Sequence, residues 1–573
     1  MESYLAEYRR HLDFPLLDAE TKAELLSLEG KDEELAYRFS GFLSFGTAGL
    51  RGIMGAGTNM MNVYTVSHAT QGLAEYILRR GLEARGVVIA HDNRLNSRRF
   101  AEASAAVLAA NGIKVYLFDS LRPTPVLSFA IRYLNCIAGI NITASHNPKE
   151  YNGYKAYWED GAQLAPEQAD EVSEVIRSTD ILTGVKTCNP GEAIADGRIE
   201  IIGKDVDEAY LKCVGDQIDD PAAIKANSDQ KTVHTALHGT GAKFVPEILR
   251  RVGFENIITV PEQMEADGNF PTVTFPNPEF PEVFELGKKL AEENGSDLMI
   301  ATDPDADRVG IMARRKDGSF TCLTGNQTGA LLLDYIITAF RETGTMPDEP
   351  YAVKSIVSTE LASRICEANG VKMFNVLTGF KFIGEVIKQH EAAGHGSFLF
   401  GFEESYGYLK GTYARDKDAV VASMLIAEMS AHYRSLGMTL CDALDALCEK
   451  YGYSREKVVS LTIKGFDAAD KMKALMEGFR SSPFTEIAGE PVKALRDYRS
   501  GKITELKTGA VSETGLPSSD VLYYETEGGD VIVIRPSGTE PKVKFYYLVA
   551  GATAEAADAK VAKYAAFISE KVG

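Results

Sequence analysis

Short apolar runs alternate with long helical stretches over most of this chain, and that alternation restricts the fold more than any other feature. Residues 86–91 (GVVIAH), 114–118 and 138–142 read as buried strands, with an Ala-rich helical stretch at 96–111. The layout returns at 233–237, 257–260 and 298–302 around a helix at 242–252, and again at 351–356, 372–376 and 397–402. Strands separated by helical crossovers belong to parallel pairs in an α/β sheet. Residues 1–43 read as helical and charged, followed by a Gly-dense loop at 44–52 and a helix at 62–81. After 455 the character changes. Strand candidates at 456–464, 521–524, 530–535 and 543–549, with helices near 466–481 and 554–570, read as a smaller α+β domain. The expected architecture is α/β: three doubly layered mixed α/β domains, then the α+β domain, with boundaries near 205, 322 and 455.

Composition narrows the function classes. With 61 Lys+Arg against 81 Asp+Glu, the net charge is −20. Such a chain repels phosphate backbones and anionic bilayers, so neither a nucleic-acid nor a membrane partner is expected. An anionic small substrate needs basic residues gathered locally. The 7 Cys include no C-x-x-C pair, which predicts reduced thiols and a cytoplasmic setting. The opening MESYLAEYRRHLDF has no apolar stretch, so no secretory leader is expected. No apolar run approaches the ~18 residues of a membrane span.

Four loops carry chemistry. Thr143-Ala144-Ser145-His146-Asn147-Pro148 follows a strand and leads to Lys155. A serine there, beside His146, suits a nucleophile or phosphate carrier; Ser, Asn and Pro also make ordinary turns. Asp303-Pro304-Asp305-Ala306-Asp307-Arg308 sets carboxylates at i, i+2 and i+4, an oxygen-only set for a hard cation such as Mg²⁺. A calcium loop needs Gly at its sixth position and Glu at its twelfth, and Arg308 and Arg314 stand there. Gly401-Phe402-Glu403-Glu404-Ser405-Tyr406-Gly407 joins carboxylates and a hydroxyl, as sugar recognition uses and as a helix start also shows. Arg535-Pro536-Ser537-Gly538-Thr539-Glu540-Pro541 combines Arg, hydroxyls and backbone N–H groups, a phosphate cradle or a plain turn. Thr378-Gly379-Phe380-Lys381 offers a further hydroxyl and cation, and Arg415 and Lys417 add charge. Arg51 and Arg94 are placed to face an anionic centre. His238 reads as structural and Trp158 as packing.

In this order, T-A-S-H-N-P, D-P-D-A-D-R, G-F-E-E-S-Y-G and R-P-S-G-T-E-P resemble the phosphoserine, metal, sugar and phosphate loops of the α-D-phosphohexomutase superfamily, which includes phosphoglucomutase and phosphomannomutase. The resemblance runs from about Phe45 to Lys544. It implies four domains around a central cleft: 1–205 with the phosphoserine, 206–322 with the metal, 323–455 with the sugar site and 456–573 with the phosphate site. It makes Ser145 the phosphoserine, and Asp303, Asp305 and Asp307 the Mg²⁺ ligands, joined by the phosphate on Ser145. Arg308 matches the arginine closing the metal loop. Glu403 and Ser405 match groups that hold sugar hydroxyls, and Arg535, Ser537, Gly538 and Thr539 the site of the idle phosphate. Arg51, His146, Lys155, Thr378, Gly379, Lys381 and Lys417 match other cleft positions. Lys155 is the first candidate for general acid/base, through an amine pKa lowered near a cation, and His146 the second.

Two departures qualify this. Gly407 stands where many bacterial phosphomannomutases have histidine, so that residue's role does not carry over. S-H-N-P-K-E-Y-N-G-Y-K and L-T-G-N-Q at 323–327 resemble a branch holding bacterial phosphoglucomutases and phosphopentomutases. The implied activity is reversible conversion of α-D-glucose 1-phosphate to glucose 6-phosphate, with glucose 1,6-bisphosphate as intermediate and activator. Alternatives are phosphopentomutase, phosphomannomutase or glucose 1,6-bisphosphate synthase. From other classes, a phosphatase and a non-catalytic sugar-phosphate binder stay open. The partner is a small phosphosugar, and a monomer or weak homo-oligomer is expected.

Overall fold

The computed structural model describes residues 3–46, 49–463, 468–537 and 542–572. They form two compact units. The first comprises Met1–Leu323, Gly384–Gly394 and Tyr406–Thr439; the second comprises Thr324–Ile383, His395–Ser405 and Leu440–Gly573. The protein is mixed α/β, as its alternating pattern predicts.

The first unit holds two sheets. One runs Leu50–Ile53, Tyr151–Trp158, Ala138–Ile142, Val87–His91, Val115–Phe118, Ile199–Ile202 across its width. Its four last strands are parallel and its first two run antiparallel to their neighbours. Val87–His91 is buried along its whole length, which is why it reads as a continuous apolar run. Truncating a core side chain there, such as Ile89→Ala, costs about 2–5 kcal/mol. The second sheet runs Phe320–Leu323, Val309–Arg314, Leu298–Thr302, Lys231–Thr235, Asn256–Thr259. Leu298–Thr302 and Val309–Arg314 pair antiparallel with Thr302 opposite Val309, so the acidic loop 303–308 is the turn of a β-hairpin.

Two local differences from the sequence reading have physical causes. Residues 1–43 are three short helices, Ser3–Leu12, Ala19–Ser27 and Asp32–Phe39, folded over their own cluster of Tyr8, Leu25, Leu35 and Phe39. Tyr151–Trp158 is a strand that polarity conceals: it carries Asn152, Gly153 and Lys155, yet all but its first residue are buried. Lys155 is thereby held opposite Asn141 inside the sheet.

In the second unit, Lys372–Val376, Pro350–Ser355 and Ser397–Glu403 form a parallel layer. The L-T-G-N-Q segment starts the helix Gly325–Glu342. Thr324 Oγ1 accepts from the Gln327 N–H and the Gln327 side chain accepts from the Thr324 N–H, a reciprocal cap. The C-terminal part is an antiparallel sheet ordered Tyr453–Thr462, Lys542–Gly551, Val531–Pro536, Leu522–Thr526, Glu490–Asp497, Lys502–Glu505, Val511–Glu513, with helices Ala468–Ser481 and Ala554–Val572. This is the α+β region expected, with further strands in its middle: the polar Glu490–Asp497 and the short Lys502–Glu505 and Val511–Glu513 show no apolar run.

Candidate active site

Ser145 leaves the end of Ala138–Ile142 in a left-handed conformation, φ 53°. That costs a non-glycine residue about 1–2 kcal/mol and marks a functional turn. Its N–H donates to Thr143 Oγ1 at 2.8 Å. Its hydroxyl donates to Asp303 Oδ2 at 2.7 Å and lies 3.2 Å from His146 Nδ1. Burial, with Arg308 and Arg51 nearby, holds the His146 imidazole well below its ordinary pKa, so it is neutral. A neutral imidazole beside a serine hydroxyl can accept its proton.

The hairpin turn is folded so that its carboxylates converge. The Asp307 and Arg308 N–H groups donate to Asp303 Oδ1 at 3.1 and 3.0 Å, and Ala306 takes φ 49°. Gly239 lies against the turn, where a β-carbon would stand 2.4 Å from Pro304 Cα. Asp303, Asp305 and Asp307 are buried, and one oxygen of each lies within 4.8 Å of the others. Burial and the two neighbouring carboxylates push Asp303 well above the usual carboxylate range. Asp305 Oδ1 and Asp307 Oδ1 are buried without a hydrogen-bond donor. Buried, donor-poor oxygens concentrated in this way fit a hard divalent cation.

Two lysines balance part of this charge. Lys155 Nζ meets Asp305 at 2.8 Å and Asp307 at 3.3 Å; Lys417 Nζ meets Asp307 at 3.1 Å and Asp416 at 3.0 Å. Thr124 Oγ1 also donates to Asp305, at 2.8 Å. Burial lowers the Lys155 pKa, but Asp305 and Asp307 more than offset it, and the net shift is upward. Asp305 and Asp307 thus favour the ammonium form of this amine. Gly407 has a packing reason. A β-carbon there would come within 2.2 Å of Lys417 Cδ, so the glycine gives the lysine its path to Asp307.

The arginines divide by role. Arg308 Nη1 pairs with Glu279 at 3.0 Å, and Arg51 Nη1 donates to Asn147 Oδ1 at 3.1 Å. Arg94 is buried against the backbone carbonyls of the serine loop, with Asp303 and Asp305 near enough to act on its charge. Arg415 also points elsewhere, bonding the Thr412 carbonyl and pairing with Glu391. His238 bonds the Glu265 carbonyl and Thr272, and Trp158 packs edge-on against Tyr76, both structural as expected.

In the second unit, Glu403 is buried and accepts from the Gly379 N–H at 2.7 Å. Gly379 has φ 119°, which a side chain rarely tolerates. Thr378, Lys381 and Ser405 are half-buried, Lys381 lying over the Phe382 ring. Glu404 accepts from Ser355 Oγ at 3.1 Å, and burial together with Glu403 pushes its carboxyl up to about 7. Arg535, from Val531–Pro536, donates to Tyr546 Oη at 3.5 Å, and the Ser537 N–H donates to the Lys542 carbonyl at 2.7 Å. Gly538 and Thr539 lie outside the described residues.

Models of the three phosphoglucomutase/phosphomannomutase α/β/α domains match this chain in order: domain I over residues 43–182, domain II over 208–318 and domain III over 324–451. A phosphoglucomutase of Staphylococcus saprophyticus is 38% identical over 516 residues, covering 90% of this chain and 92% of its own. The chain belongs to the phosphoglucomutase/phosphomannomutase family. It is thus an enzyme of the α-D-phosphohexomutase superfamily, a phosphotransferase acting within one molecule. A Staphylococcus epidermidis phosphoglucomutase is 40% identical, covering 88% of this chain and 90% of its own. The fold is shared with the Paramecium parafusin phosphoglucomutase in its open form: TM-score 0.67 at 18% identity, covering 91% of this chain and 94% of that one.

For this family member the structure also brings in residues that the sequence reading did not single out. Asp416 pairs with Lys417 and accepts from Tyr157 Oη at 2.9 Å. Glu279 holds Arg308, and Thr124 and Asn147 meet Asp305 and Arg51. The P-N-P-E run at 276–279 was the one visible signal for Glu279.

Proposed function

We propose that the protein is a phosphoglucomutase that interconverts α-D-glucose 1-phosphate and glucose 6-phosphate through a phosphorylated Ser145 and glucose 1,6-bisphosphate. One observation carries the reading: the Ser145 hydroxyl, held in a strained turn, sits 2.7 Å from a buried triad of carboxylates. The staphylococcal relatives named phosphoglucomutase support the choice of sugar.

In the forward half-reaction the Ser145 Oγ–P bond breaks as the free sugar hydroxyl forms its bond to phosphorus. The sugar oxygen gives up its proton and the released Ser145 Oγ takes one up, so the proton count is unchanged; the return exchange runs the other way, with the sugar oxygen leaving phosphorus and taking a proton. In the reverse half, Ser145 Oγ attacks the other phosphate of the bisphosphate, and His146 Nδ1 is placed to take its proton. Lys155, bonded to Asp305 and Asp307, is the first candidate for general acid/base. Asp303, Asp305 and Asp307 would hold Mg²⁺, which when bound supplies charge neutralisation to phosphoryl oxygens. Arg308, Lys417 and Arg51 add positive charge around Ser145. Glu403 and Ser405 hold sugar hydroxyls, with Thr378, Gly379 and Lys381 beside them. Arg535 and Ser537, with Gly538 and Thr539, bind the idle phosphate. The four-part division at 205, 322 and 455 and a monomeric or weakly associated, cytoplasmic enzyme complete the reading. Among the described residues no helix is long and apolar enough to cross a membrane.

The test is Mg²⁺-dependent turnover of glucose 1-phosphate with a trace of glucose 1,6-bisphosphate, beside mannose 1-phosphate and ribose 1-phosphate. Fastest turnover of the glucose ester is expected. Faster turnover of the ribose ester would replace the reading by a phosphopentomutase, and release of inorganic phosphate by a phosphatase.

A further inference from the structure

Arg94 is buried 51 positions before Ser145 in the chain, yet its guanidinium gathers the backbone of the serine loop. Nη2 donates to the Ser145 carbonyl at 2.6 Å and the Asn147 carbonyl at 2.5 Å. Nη1 donates to the Pro148 carbonyl at 2.8 Å and the Tyr151 carbonyl at 3.1 Å. One planar fork thus spans the loop from its left-handed serine to the start of the next strand. Only a guanidinium presents donors in that fixed geometry; a lysine is a point charge on a flexible stem.

The fork is itself aimed by other groups. Asp92 accepts from the Arg94 N–H at 2.9 Å and pairs with Nε at 3.3 Å, both side chains fully buried. Ser97 Oγ holds the same carboxylate at 2.7 Å, and the Asp92 N–H is tied to the Ile142 carbonyl at 3.0 Å. On the other side, the Phe270 ring lies under the guanidinium, 5.1 Å from centroid to Cζ. Phe270 has φ 48°, so its segment is bent to reach this place. Asn93 Nδ2 donates to the Asp267 carbonyl at 3.1 Å, and Gly268 approaches so closely that a β-carbon would meet the Leu95 nitrogen at 2.6 Å. Phe270 comes from the loop between Pro261–Met264 and Pro281–Phe284, so the ring under the guanidinium is supplied from far along the chain.

We infer that Arg94 is a positioning residue for phosphoryl transfer: it fixes the conformation of the Ser145 loop, and so the direction of Oγ, by binding carbonyls rather than substrate. The inference rests on the proposal that Ser145 carries the phosphoryl group. A loop freed by about an ångström loses on the order of 100-fold in rate without losing its substrate contacts.

The experiment compares the full-length wild type with Arg94→Lys, Phe270→Leu and Ser145→Ala, each checked for folding by circular dichroism and thermal melting. The readouts are kcat and KM for glucose 1-phosphate, and the single-turnover rate of Ser145 phosphorylation by glucose 1,6-bisphosphate per folded molecule. A purely structural arginine would lower melting temperature or active fraction but leave that last rate intact. Arg94→Lys is expected to lower kcat and the phosphorylation rate by about 100-fold, with KM within about threefold of wild type. Phe270→Leu, which removes the ring under the cation, is expected to lower both by about threefold. A folded Arg94→Lys protein with wild-type phosphorylation rate, or one with raised KM and unchanged kcat, overturns the inference. If Arg94→Lys does not fold, Phe270→Leu decides: wild-type rates overturn, the threefold loss supports. Turnover by Ser145→Ala would sink the underlying phosphoserine reading, whereas an inactive Ser145→Ala beside a fully active Arg94→Lys would sink the clamp alone.

Discussion

Around Ser145 in the first unit, Lys155 and Lys417 are each less than a tenth exposed and already clasp Asp305, Asp307 and Asp416. In the second unit, Thr378, Gly379 and Ser405 stand half-buried on loops and Lys381 half-buried in the first turn of the helix Phe380–Ala393, and Glu403 alone of the sugar-loop groups is both buried and pinned by a backbone N–H. The difference separates two tasks. On the proposed reading, the groups around Ser145 are arranged against one another before any sugar arrives, which is the preorganisation that phosphoryl transfer requires. The groups proposed to bind the sugar keep water-accessible faces for a ligand to cover. Substitutions in the first region should therefore strike kcat, and those in the second KM.

The sharpest break would come at Ser145. Ser145→Ala is expected to lower kcat by about 10⁴-fold or more while the thermal melting temperature stays near wild type. Next, Lys417→Met leaves Asp307 without one of its three cationic partners; kcat should fall by about 100-fold with KM little changed, read in steady-state assays. Arg535→Ala belongs to the other region, and KM for glucose 1-phosphate should rise by about tenfold with kcat within a few-fold. A kcat loss at Arg535 as large as that at Lys417 would erase the distinction.

How far the sequence allowed this comparison differs by residue. The acidic turn was legible because its three carboxylates lie within one hairpin and the flanking runs are apolar. The strand Tyr151–Trp158 was not, because burial there is enforced by neighbours on both sides rather than by its own composition. Asp416 was hidden because its partner Tyr157 lies 259 positions away in the chain. The carbonyl partners of Arg94 are not legible, because they lie 51 or more positions further along the chain and nothing local indicates which oxygens an arginine meets. Gly407, noted only as a missing histidine, acquires its reason from the path of Lys417.

The smallest effect expected is on stability. The Glu404 carboxyl, at about 7 in the folded protein through burial and Glu403, is raised above its ordinary value. The folded state thus keeps a proton that the unfolded chain releases, and stability falls as pH rises from the ordinary value through about 7. Glu404→Gln removes that loss. It should stabilise the protein by about 1 kcal/mol at pH 8 and by less at about pH 5, measured by denaturant unfolding at both values.

The most direct test of the account is where phosphate goes. Metal-loaded enzyme is stripped of phosphate, mixed with glucose 1,6-bisphosphate, quenched, digested and mapped by mass spectrometry. The account predicts a single phosphoryl group on the peptide bearing Ser145, discharged to sugar when glucose 1-phosphate is added and never formed in Ser145→Ala. Label on another residue, or turnover without label at Ser145, would contradict it.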